Sequence, residues 1–191
     1  TKAGKQTIKV IATKGEDECS NSLELVVVEA STEKALPEGL EEGINYTGNN
    51  KVALVFRAPL SKCIYVLGDF NNWEKNEDYH MYRHNVYDAS GNKTNTLFWL
   101  EFELDNLTKK YAFQYLVDDR VQVSDPYSKV ILDPWNDREL SRYLEGEGLP
   151  AYPEKGDGLV SILQIEDENP YQWEVTDFKA PKKEDLNIYE L

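Results

Sequence analysis

Residues 51–126 hold a succession of apolar runs, each short and each closed by turn-forming residues: KVALVFRAP (51–59), KCIYVLGDF (62–70), TLFWLEFEL (96–104), YAFQYLVDD (111–119) and a brief VQVSDP (121–126). The separators are Ala58-Pro59-Leu60-Ser61, the stretch Asp88 to Asn92, Asp105-Asn106 and Asp118-Asp119. Short apolar runs between Gly, Pro, Asn and Asp clusters are the pattern of an all-β sandwich. No amphipathic stretch of helical period and length interrupts this section. In the run 96–104, Phe98, Leu100, Phe102 and Leu104 form a uniformly apolar alternate set. That set is expected to face the core, which turns Trp99 outward or under a loop.

The flanks read differently. Residues 5–13 (KQTIKVIAT) alternate with period two and residues 22–29 (SLELVVVE) form a second β-rich run, with a polar turn between them. This predicts an antiparallel hairpin over residues 1–30, similar to the closing strands of a partial immunoglobulin-like domain. Residues 31–50, rich in Gly, Pro and Glu, have the composition of a linker. The sandwich is assigned to 51–130. Beyond it, residues 131–191 are punctuated by Pro and Gly and read as a connector. A short helix is expected near Asp137 to Leu144, a strand over 159–166, and a last strand in LNIYEL.

Composition narrows the classes of partner. Acidic residues outnumber basic ones 35 to 21, for a net charge of −14. Nucleic-acid phosphates and anionic membrane surfaces both call for a basic face, so neither is expected as a partner. No apolar run is long enough to span a bilayer. Two cysteines, Cys19 and Cys63, make no disulfide framework, and no metal-ligand spacing accompanies them. His80 and His84 lie four residues apart in what reads as a loop and hairpin, which gives no reason to expect a metal. No cofactor is expected. Sequons occur at Asn45, Asn92 and Asn106. The chain does not begin with Met and carries no export signal, and it reads as a piece of a longer protein.

The most distinctive local sequence is IYVLGDFNNW, Ile64 to Trp73: a strand running into a Gly-Asp-Phe-Asn-Asn-Trp turn. With FWLEFEL and YAFQYLVDDRVQVSDPYS, it resembles the glycogen- and starch-binding β-sandwich of carbohydrate-binding module family 48. The later LDPWND, VSILQ, YQW and KEDLNIYEL resemble the passage from that module into the barrel of glycoside hydrolase family 13, the α-amylase-like enzymes, especially those of Bacteroidetes. The resemblance implies an early-set immunoglobulin-like sandwich ending in the first strand of a catalytic barrel. It also implies a parent enzyme acting on α-glucans, bacterial and either secreted or in the cell envelope.

On that resemblance, Trp73 occupies the position of a tryptophan that stacks on glucose, with Asn71, Asn72 and Gln114 as polar companions. The pattern is incomplete here. Gln114 replaces a lysine, Val121 a second tryptophan, and Asp119 a glycine. A single indole would give a weak site, because each stacked ring contributes on the order of 1 kcal/mol. The alternative for Trp73 is a partly buried aromatic that pins the turn; the two Asn residues are likewise common turn formers. Trp135, Trp173 and Tyr171 are expected to anchor the connector against the sandwich or the barrel. Glycoside hydrolysis needs a pair of opposed carboxylates held in a formed site, which the expected barrel would supply and this chain would not. No catalytic residue is therefore assigned. The expected partners are the chain's own C-terminal barrel and an α-glucan; the alternative is a protein-interaction or surface-display module that takes no carbohydrate.

Overall fold

A computed structural model describes residues 4–48, 50–106, 109–137, 149–164 and 172–187. The fold is all-β. It opens with a separate two-stranded antiparallel ribbon, β1 (Gly4–Lys14) and β2 (Asp17–Val27). The strands run almost to the tip, where Lys14 pairs with Asp17, so most of the expected polar turn is strand. Gly15, with φ of +67°, supplies the left-handed residue that so tight a reversal needs.

Two antiparallel sheets follow. The first has the order β3 (Gly43–Gly48), β4 (Lys51–Arg57), β7 (Lys93–Glu103) and β6 (Tyr82–Tyr87). The second is centred on β8 (Tyr111–Val117). β5 (Ile64–Gly68) pairs along one side of β8. The other side is shared between β9 (Val121–Val123) and β11 (Val160–Leu163), and β10 (Ile131–Leu132) lies outside β11.

Alternation builds the core. Val52 and Leu54 from β4, Phe98 and Leu100 from β7, Ile64 and Val66 from β5, and Phe113 and Tyr115 from β8 meet between the sheets. The predicted set in β7 points inward, with Phe102 packed at the margin. Trp99 lies on the opposite face, 4% exposed, where its indole N–H donates to Lys34 O at 3.1 Å. The covering loop brings Leu36 and Leu40 onto Val55, Leu97 and Trp99.

The sandwich is larger than the 51–130 expected. Within the supposed linker, β3 pairs with β4, and Ser31 to Lys34 bond to Lys62 and Arg83. Within the supposed connector, β11 pairs with β8. Pro, Gly and Glu gave these segments a linker's composition, but backbone hydrogen bonding to distant strands orders them. Only Asp137 of the expected helix falls among the described residues, and neither Tyr171 nor residues 188–191 do. The described part of the final segment forms a 3₁₀ turn at Lys183–Asp185.

A buried polar knot ties the sheet edge together. The Tyr115 hydroxyl donates to Asp125 Oδ2 at 2.6 Å, Asp125 N donates to Ser161 Oγ at 2.7 Å, and Tyr127 N donates to Asp125 Oδ1 at 2.7 Å. Burial pushes the Asp125 carboxyl above its usual range, against the pull of the bonds it accepts from Tyr115 and Tyr127.

Candidate functional site

The turn that carries Trp73 is shaped by its own polar residues. Gly68 ends β5 where the chain passes so close to β8 that a Cβ there would sit 2.7 Å from the Phe70 ring and 2.8 Å from Ala112 O. A 3₁₀ turn follows at Asp69–Asn71. Asn71 closes it: its Oδ1 accepts from Gly68 N at 2.9 Å, and its Nδ2 donates to Val66 O at 2.8 Å. Asn72 and Trp73 then both take the left-handed conformation, with φ of 54° and 59°. For Asn this is tolerated; for Trp it is strained, and neighbouring contacts must hold it. Trp73 N donates to Gly68 O and the indole N–H donates to Asp69 Oδ1, each at 2.9 Å. Asp69 Oδ2 in turn accepts from Ala112 N at 2.8 Å. Asp69, which sequence reasoning passed over, is thus the pivot between the turn and β8.

The Trp73 side chain is half-buried. It packs on the outer face of the second sheet, against the cluster of Ala112, Leu132, Val160 and Ile162. Asn72 is exposed at the margin of an open cleft of about 790 Å³, lined by Phe70, Glu74, Asn76, Glu77 and Tyr79 among others. Trp73 and Asn72 therefore stand at the surface, while Asn71 is committed to the turn.

Gln114 is not available to a ligand. It is fully buried, and its amide is used within the chain. Nε2 donates to the carbonyls of Asp157 and Leu159, and Oε1 accepts from Asp157 N. Its place in β8 does put it on the outer face, but residues 149–159 lie over that face and engage it. Period-two reasoning assigns the face and cannot see what covers it.

Trp135 and Trp173 are strongly exposed, at 68% and 76%. Trp135 sits in a turn built by Asp133, whose Oδ1 accepts from the N–H groups of Trp135 and Asn136. The Asn136 side-chain amide, which donates to Asp133 Oδ2 at 2.6 Å, and these backbone bonds hold the Asp133 carboxyl below its usual range. Trp173 lines an apolar groove with Glu174, Val175 and Phe178. Tyr171 lies outside the described residues.

Among the described residues no cluster of His, Cys, Asp and Glu is arranged to hold a metal. His80 stacks on Tyr65 and meets Ser31 Oγ through Nε2 at 3.0 Å. Cys63 is buried, and desolvation with the Asp119 and Asp118 charges pushes its thiol up to about 11, which leaves little nucleophilic thiolate near neutral pH. Among the described residues no helix is long and apolar enough to cross a membrane.

No protein-family model matches the chain, and no curated protein matches it significantly.

Proposed function

We propose that this chain is a non-catalytic module of an α-amylase-family enzyme acting on α-glucans such as starch or glycogen. In this reading it serves as a spacer and docking surface for the catalytic barrel. The observation that carries the reading is the exposed aromatic set outside the sandwich core. Trp173, Val175 and Phe178 present apolar area to solvent next to a segment that resembles the approach to such a barrel. Two of the residues that would form a sugar platform are used otherwise: Gln114 is buried and Asn71 shapes its own turn, while the Trp73 indole is half-buried on the outer face of the second sheet.

Gel electrophoresis through soluble starch, paired with titration of the parent's separately expressed barrel, tests the reading. We expect migration unchanged by starch for both wild type and Trp73→Ala, and barrel affinity at least about tenfold weaker in Trp173→Ala. Retardation of the wild type that disappears in Trp73→Ala would replace the spacer with a glucan-binding module. Barrel binding insensitive to Trp173→Ala would remove the docking surface.

A further inference from the structure

We propose that residues 149–159 are an internal strap that keeps the Trp73 side of the second sheet closed, with Gln114 as its catch. The outer face here consists of Ala112 and Gln114 from β8 and Val160 and Ile162 from β11, with Leu132 beside them. Trp73 packs on this patch from the turn, and Leu149 and Tyr152 of the strap pack on the same patch. Lys155 joins the two: its Nζ donates to Asn72 O at 2.9 Å and reaches Glu74 Oε1 at 3.4 Å. The strap thus occupies the ground beside the half-buried indole that an incoming ligand would need.

The catch is polar and buried, while the strap itself is shallow. Gln114 is wholly inaccessible, and its amide bonds to backbone groups of Asp157 and Leu159 in the manner of a neighbouring strand. The strap adds two bonds of its own, Tyr152 OH to Gly158 O at 2.9 Å and Gly156 N to Pro153 O at 3.0 Å. No residue from 149 to 159 is fully buried. A segment seated by a few hydrogen bonds and little buried apolar area opens at far lower cost than the sandwich beneath it. Opening it uncovers the Gln114 amide, the Ala112 methyl and a flank of the Trp73 indole, next to the exposed Asn72. A flat aromatic surface flanked by amides is chemistry suited to a neutral polyhydroxylated ligand. Only this last step rests on the glucan reading; the latch does not.

Hydrogen exchange read residue by residue, with acrylamide quenching in a Trp135→Phe/Trp173→Phe background, tests the strap. In that background Trp73 is the accessible indole, because Trp99 is buried. Gln114→Ala should speed exchange at residues 156–159 by about tenfold or more and raise quenching, with β4 and β7 amides unchanged. If β4 and β7 also lose protection, the sandwich has failed, and Tyr152→Phe/Lys155→Ala, which leaves the buried amide in place, decides by the same criterion. Unchanged exchange and quenching would overturn the proposal. Soluble-starch gels separate the two readings. Retardation of the opened variants alone supports a glucan as the excluded ligand. Faster exchange without retardation upholds the strap and removes sugar from Trp73. Retardation of the wild type would overturn both the strap's closure of the face and the spacer reading.

Discussion

Asn72 and Trp73 show how one residue's backbone conformation can carry a site. A left-handed L-residue costs about 1–2 kcal/mol, less for Asn and nothing comparable for Gly. No hydrogen bond of the exposed Asn72 side chain contributes to the turn, so substitutions there report backbone preference alone. Asn72→Ala should destabilise the chain by about 1 kcal/mol, and Asn72→Gly should stay within about 0.5 kcal/mol of wild type, read from urea midpoints at constant m. Asp125 supplies the titration test. Its folded-state pKa is raised from 3.8 by burial, so the folded chain holds this proton more tightly than the unfolded chain does. The carboxyl therefore favours folding when protonated, and that contribution is lost as pH rises from 3.8 through the folded value. Urea titrations across this window should show wild type losing stability with rising pH relative to Asp125→Asn, whose amide does not titrate. Other carboxylates act equally in both chains and cancel.

Among elements, the β1–β2 ribbon stands apart. Its register puts Gln6, Ile8, Val10 and Ala12 on one face with Leu25, Leu23, Asn21 and Cys19. Ile8, Val10, Leu23 and Leu25 are all exposed there, and neither strand pairs with a sandwich strand. Deletion of residues 1–26 should therefore shift the melting midpoint of the sandwich by no more than about 2 °C, measured by near-ultraviolet circular dichroism, because Ser31 to Lys34 retain their bonds to Lys62 and Arg83. The ribbon was legible as a hairpin, because alternation and a Gly-containing turn are both local signals. The loop 31–42 was not legible as a cover for Trp99. Its order comes from backbone partners some thirty to fifty positions away.

Across the whole molecule, the sequence determined the all-β class, the order of the main strands and the inward set Phe98, Leu100, Phe102 and Leu104, because a strand's side-chain period is local geometry. It also singled out the turn at Trp73 and left open whether that indole faces solvent or fold. The tertiary structure alone decided that β3 and β11 complete the two sheets and that Gln114 holds residues 157 and 159 in place of a ligand. It likewise made Asp69 the anchor of the Trp73 turn. Each of these depends on hydrogen-bonding groups meeting across the fold. A buried amide must find partners wherever the chain brings them, and composition carries no record of which distant backbone groups those will be.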